Sequence, residues 1–168
     1  TVDAAPAMTS EKNIALFEEM GVLSRVEVMS RYEVIIEHYA KVLHIEAMTM
    51  LEMANKQLIP AATAYMSDVA GAAAAKMAVS EKLSCKAENK VLEKLSAATD
   101  AMSDAVDALD AAVESAESET DSLEKAKAYR DKVLPAMADL RTNADAAEVV
   151  CGEDYWPLPS YSKMLYYV

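Results

Sequence analysis

Val91-Leu92-Glu93-Lys94-Leu95-Ser96-Ala97-Ala98-Thr99-Asp100-Ala101-Met102-Ser103-Asp104-Ala105-Val106-Asp107-Ala108-Leu109-Asp110-Ala111-Ala112-Val113-Glu114-Ser115-Ala116 decides the fold. Apolar residues recur four and then three positions apart, at Val91, Leu95, Ala98, Met102, Ala105, Leu109, Ala112 and Ala116, without a slip. That alternation is the seam of a helix packed on another helix; a strand would alternate every second residue. The spacing predicts a helix from about Ser80 to Glu117. The polar break Ser118-Glu119-Thr120-Asp121-Ser122 follows, then a second seam at Leu123, Ala126, Val133, Met137, Leu140, Ala144 and Ala147, interrupted by Arg130 and carrying Pro135. So short a connection makes the two helices antiparallel neighbours. A helix of some 38 residues is on the order of 57 Å long at 1.5 Å per residue, so an elongated hairpin is expected rather than a ball.

Working towards the N-terminus, Ser24-Arg25-Val26-Glu27 is a capping box, with Leu23 and Val28 placed for a hydrophobic staple. A long helix should start there and run to about Val79, with an apolar stripe at Val28, Tyr32, Ile35, Tyr39 and Val42 and a kink at Pro60. Residues 1–9, with Pro6, read as an extended lead-in. Thr9 or Ser10 then caps a short helix to about Met20, and Gly21 stops it. Towards the C-terminus, the sixteen residues from 153 hold five of the ten aromatics. Pro157 and Pro159 preclude a regular helix across the first half of that stretch, and aromatic rings with polar tips suit docking on a surface. The expected organisation is all-α. A helical region spans 1–152, with the lead-in and short helix at 1–23, the long kinked helix at 24–79 and the antiparallel hairpin at 80–152. An aromatic docking tail spans 153–168.

Composition agrees with helix. The chain has 168 residues, room for one domain, with 32 alanines and only three glycines. The isolated Gly21, Gly71 and Gly152 leave no glycine-rich phosphate loop, which excludes P-loop and Rossmann nucleotide sites. Sixteen basic against twenty-eight acidic residues give a net charge of −12, which would repel a nucleic acid backbone. Cys85 and Cys151 lie at neither zinc-ligand nor disulfide-framework spacing, as in a cytosolic chain. No run is long enough to span a membrane, and no signal peptide opens the sequence, so no membrane partner is expected. The first residue is Thr1 rather than Met, as in a processed product or a piece of a longer protein.

Chemistry is scarce. A carboxylate-bridged di-iron centre would need Glu-x-x-His, but Ile35 and Lys41 stand three residues before His38 and His44. His44-Ile45-Glu46 points its two ligating groups about 200° apart around a helix, poor geometry for chelation. No G-x-S-x-G elbow or Cys–His motif is present, and neither cysteine has a neighbouring cationic cluster in sequence to activate it. Asp100, Asp104, Asp107, Glu114, Glu117, Asp121 and Glu124 lie near one face. That face reads as a solvated coiled-coil surface more readily than as a patch for a basic partner or cation. Methionines at helical spacing, such as Met50 and Met53, read as core filler. The residues thus describe a helical module that positions or assembles something, with no catalytic, cofactor-binding or metal-binding residue in it.

Several stretches resemble, in order, the C-terminal region of type III glutamine synthetases. They are Thr1 to Glu18 (TVDAAPAMTSEKNIALFE), Ser30-Arg31-Tyr32-Glu33-Val34, His44 to Met50 (HIEAMTM), Leu58-Ile59-Pro60-Ala61, Val133-Leu134-Pro135-Ala136 and Tyr155 to Tyr161 (YWPLPSY). Residues 70–120 match only in alanine-rich, helical character. The resemblance implies a bacterial, cytoplasmic, homo-oligomeric ligase that joins ammonia to glutamate at the expense of ATP, with Mg²⁺ or Mn²⁺ in its site. It also implies that the metal ligands, nucleotide contacts and substrate-binding arginines lie upstream, in a β-grasp domain and a catalytic domain, so none is carried to a position here. The partners would be those domains and neighbouring subunits, which this segment packs or braces. The alternative is a free-standing helical adaptor. In an adaptor the aromatic tail should sit on this chain's own bundle, whereas a ligase fragment would have lost its docking surface.

Overall fold

The computed structural model describes residues 1–159 and 161–166, leaving the expected tail residues Ser160, Tyr167 and Val168 outside, together with the side chains of Tyr161 and Ser162. The fold is all-α, with no β-strand among the described residues. In order come α1 (Ala5–Met8), α2 (Glu11–Glu19), α3 (Arg25–Met53), a π turn (Ala54–Leu58) and α4 (Ile59–Val79). After these come α5 (Lys86–Glu117), α6 (Ser122–Ala128), a second π turn (Tyr129–Val133), α7 (Leu134–Glu148) and α8 (Tyr161–Tyr166). No helix of the described residues is long and apolar enough to cross a membrane.

Local signals explain the helix limits. The capping box forms: Ser24 N–H and Oγ–H donate to Glu27 Oε2, both at 2.8 Å, and the Ser24 amide holds the Glu27 carboxyl below its ordinary range. Gly21 takes φ +63°, a left-handed conformation that glycine adopts without a side-chain clash, and ends the segment after α2. Asp121 caps α6, accepting from the N–H groups of Leu123 at 3.0 Å and Glu124 at 2.9 Å.

Four details differ from the sequence expectation. The lead-in is not extended: Ala5–Met8 is a helical turn, because Pro6 is pre-set for a first helical turn and Thr1 O accepts from Ala4 and Ala5 N–H. Helix α5 starts at Lys86, not Ser80. Ser80 Oγ and Ser84 Oγ accept from the N–H groups of Lys82 and Lys86, turning the backbone before the helix can begin. Pro60 acts through a widened turn: Ile59 N–H reaches back five residues to Ala54 O, which draws the backbone away from the proline ring. Finally, the buried stripe of α3 runs Val28, Ile36, Ala40, Leu43, Ala47, while Ile35 and Val42 are exposed.

Two compact units result, one from Thr1–Thr49 with Leu109–Met137, the other from Met50–Ala108 with Ala138–Val168. In the first, Val2, Ile36 and Ala126 form a buried cluster with Ala5, Tyr32, Tyr39 and Leu123 packed on it. The two arms of its hairpin are antiparallel: Lys132 Nζ donates to Ser115 Oγ, and Lys125 Nζ, earlier in its helix, reaches Glu117, later in its own. The second unit buries Leu58, Ala62, Leu95, Met102, Leu140 and Trp156. An ion pair between Lys76 and Glu88 and a bond from Cys85 Sγ to Ala73 O join α4 to the start of α5. The sequence seam is real: Leu95, Met102, Ala105, Leu109 and Ala116 are all buried.

Candidate functional site

A polar network in the first unit begins with Tyr129, the first residue of its π turn and fully buried, at 0% exposure. Tyr129 and Val133, four residues apart on one helix face, both lie inward, and Arg130 does not. The Tyr129 hydroxyl donates to Glu117 Oε1 at 2.7 Å and lies 2.8 Å from His44 Nδ1. Its one proton goes to the carboxylate, so it accepts from His44, whose Nδ1 therefore carries hydrogen. The two rings meet edge to face, centroids 6.2 Å apart at 84°. Lys125 Nζ closes the chain at 3.4 Å from Glu117 Oε2.

Burial, and next the hydrogen bond to Glu117, push the Tyr129 hydroxyl well above the ordinary tyrosine range. The same bond, with help from Lys125 and His44, lowers the Glu117 carboxyl. The tyrosine thus stays a neutral donor and the glutamate an acceptor at any physiological pH. His44, Glu117 and Lys125 border a cleft of about 530 Å³, shared with Glu37 and Lys41, which are themselves ion-paired at 3.0 Å. Each charge at the cleft already has a partner within the chain. The arrangement can fix α3 against the hairpin of the first unit; it presents no activated nucleophile.

The second unit carries the tail. Gly152 lets the chain pass Tyr65: a Cβ there would stand 3.1 Å from Tyr65 Cε2 and 3.3 Å from Tyr155 Cδ2. Tyr155 then lies on Tyr65, ring centroids 5.1 Å apart, and its hydroxyl donates to Asp68, a bond that raises its ionisation above the ordinary range. Trp156 is buried, with Nε1 lacking a hydrogen-bond partner among the described residues. Tyr155 and Trp156 therefore dock on their own unit, contrary to the lost surface expected of a ligase fragment. Beyond them, Met164 and Leu165 of α8 are exposed.

The histidines separate: His38 is exposed, whereas His44 is half-buried on Tyr129. Glu46 points to solvent and shares nothing with His44. The seven carboxylates of the acidic face are all exposed; Glu117 is drawn into the tyrosine network, Asp121 into its cap, and Glu124 pairs with Lys127. Both cysteines are unpaired thiols, and burial raises that of Cys151. Among the described residues no three His, Cys, Asp or Glu side chains stand where they could hold a metal ion. The tyrosine network escaped sequence reasoning because its members are up to 85 residues apart. One signal was available: Tyr129 is the sole aromatic between Tyr65 and Tyr155.

Residues 1–77 match the family described as the glutamine synthetase C-terminal domain. Over 164 residues the chain is 35% identical to a glutamine synthetase of Butyrivibrio fibrisolvens, covering 98% of this chain and 23% of that protein. It is 28% identical over 170 residues to a type-3 glutamine synthetase of Dictyostelium discoideum, covering 99% and 23%. With a glutamine synthetase of Bacteroides fragilis (strain YCH46) it shares 24% identity over 162 residues, covering 94% and 22%. The chain thus spans less than a quarter of the length of these curated relatives, and the similarity runs through residues 70–120 as well as the two ends. With a domain match over its first 77 residues and similarity along almost its whole length, the chain belongs to the glutamine synthetase family, where it corresponds to the C-terminal domain.

Proposed function

We propose that this chain is the C-terminal helical part of a type III glutamine synthetase, a cytoplasmic, homo-oligomeric ligase that makes glutamine from glutamate and ammonia using ATP. Its task is to pack subunits or brace the catalytic domain. The observation that carries this reading is the self-satisfaction of its polar groups: Glu117, Tyr129, His44 and Lys125 bond to one another, as structural groups do. ATP and Mg²⁺ or Mn²⁺ do not fit the residues present, which offer neither a glycine-rich cradle nor a trio of metal-ligating side chains among those described. The parent enzyme's nucleotide and metal would be held by its other domains.

Deleting residues 80–150 from the full-length enzyme tests the role. Loss of the native assembly in sedimentation velocity, or loss of glutamate- and ATP-dependent ammonia incorporation, is expected; unaltered assembly and turnover would overturn it. The self-docked Tyr155 and Trp156 favour a second reading, the free-standing adaptor. The mass of the native protein separates the two: a species several times heavier than 18.2 kDa that co-purifies with ligase activity supports the enzyme, and an 18.2 kDa species alone supports the adaptor.

A further inference from the structure

Helix α3 is apolar on two opposite sides. One side holds the buried Ile36, Ala40, Leu43 and Ala47; the other carries Ile35, His38, Val42 and Ile45, spaced three, four and three apart, with Val34 beside them. Ile35 and Val42 are 40% and 37% exposed, and Val34 and Ile45 are 63% and 64% exposed. A helix facing water on one side carries charge there, so one that is apolar on both sides is built to be covered on both. A groove of about 290 Å³ opens along the edge of this second side, where it meets the buried one, lined by Thr1, Ile35, His38, Tyr39, Val42 and Leu43.

Thr1 at the rim says what covers it. The first residues are pinned: Thr1 O accepts two backbone N–H groups, Val2 is buried against Ile36, and Asp3 pairs with Arg130 at 2.5 Å. More than three quarters of each relative's length lies outside the part this chain matches, and the matching family is a C-terminal domain, so that remainder precedes Thr1 in the parent enzyme. A polypeptide arriving at a fixed Thr1 is delivered beside the groove, and its high local concentration there favours contact over any untethered partner.

We propose that the Ile35–Val42–Ile45 face of α3 is the docking surface for the part of the same polypeptide that precedes Thr1, through apolar side chains seated in the groove at Thr1 and His38. This rests on the reading of the chain as a C-terminal domain. It extends that reading by naming the surface through which the domain is braced.

The test uses the full-length protein with Ile35→Cys or Val42→Cys, both positions half-exposed enough for the fold to accept the change. Each thiol is labelled with N-ethylmaleimide and quantified by peptide mass spectrometry in buffer and in urea. Labelling in buffer slower than in urea by roughly tenfold or more is expected, because the face is covered in the assembled protein; a smaller difference overturns the proposal. A photo-crosslinker attached at position 42 identifies the cover. Capture of a peptide from upstream of Thr1 is the expected result, and capture of residues 1–168 of another copy overturns it. Glutamine formation is assayed separately on the unsubstituted protein. Inactivity together with upstream capture would refute the ligase reading while leaving the surface assignment standing.

Discussion

Replacing Tyr129 by Phe removes one oxygen and little else, so it isolates the hydroxyl that joins three helical segments of the first unit. The hydroxyl donates to a carboxylate at 2.7 Å and accepts from a histidine at 2.8 Å. Its partners are not sealed: the side chains of His44 and Glu117 are 40% and 46% exposed, so water can satisfy both once the oxygen is gone. The cost is therefore the net worth of a bond to a charged group, about 1.5–2 kcal/mol, without the added penalty of an orphaned buried partner. That is roughly a 10- to 30-fold shift in the folding equilibrium. Tyr129→Ala also empties the space of a fully buried ring and should cost about 3–5 kcal/mol. Urea unfolding followed by far-UV circular dichroism reads both, and a double-mutant cycle with Glu117→Gln should return a coupling of about 1 kcal/mol. A Phe variant within about 0.5 kcal/mol of the parent protein, or a vanishing coupling, would refute the reasoning, because the hydroxyl would then hold nothing.

The alkaline limb of stability carries the same network. Folding favours the protonated form of Tyr129, so its contribution is complete below the ordinary tyrosine value of about 10 and is lost as pH climbs above it. Chemical denaturation from pH 8 to 11 should show a fall that is shallower in Tyr129→Phe, and equal slopes would contradict the assignment. Gly152→Ala drives a methyl against Tyr65 and Tyr155; it should cost about 1–2 kcal/mol and alter the near-UV tyrosine signal, and an unchanged spectrum and midpoint would show that the contact yields freely. Asp121→Ala removes an acceptor for two backbone amides and should cost about 1 kcal/mol, while Asp121→Asn stays close to the parent in the same urea titration.

How much of the fold was legible in the sequence depends on how far each signal reaches along the chain. The capping box, the Gly21 stop and the seam of α5 are local, and all three formed. The face of α3 was misassigned for a physical reason. Both of its sides are apolar, and spacing alone cannot say which of two apolar stripes is packed by the rest of the chain. The buried stripe recurs every eleven residues, as Ile36, Ala47 and Leu58, or as Ala40, Leu51 and Ala62. Extending a seven-residue pattern from Val28 and Tyr32 drifts off that line to Ile35 and Val42. The tyrosine network was illegible for a different reason: hydrogen bonds across 85 residues leave no periodic trace.

The two prolines show how a local rule can be right in cause and incomplete in outcome. Leu58-Ile59-Pro60-Ala61 and Val133-Leu134-Pro135-Ala136 each contain the last residue of a five-residue π turn, which ends two residues before the proline. In both, the residue just before the proline donates its N–H five positions back, Ile59 to Ala54 and Leu134 to Tyr129. A proline inside an α-helix lacks a donor and crowds the carbonyl four residues earlier; adding one residue to the preceding turn relieves the crowding and lets the helix go on. In the second turn Tyr129 lies inward with Val133, four residues on, while the seven-residue spacing of the buried Ala126, Val133, Leu140 and Ala147 carries through the turn. Arg130 is left at the surface to pair with Asp3 and Asp131, which pins the first residues of the chain, while Tyr129 reaches His44 and Glu117. The turn before Pro135 thus carries both the tyrosine that joins His44 and Glu117 and the arginine that anchors the first residues of the chain beside the apolar face of α3.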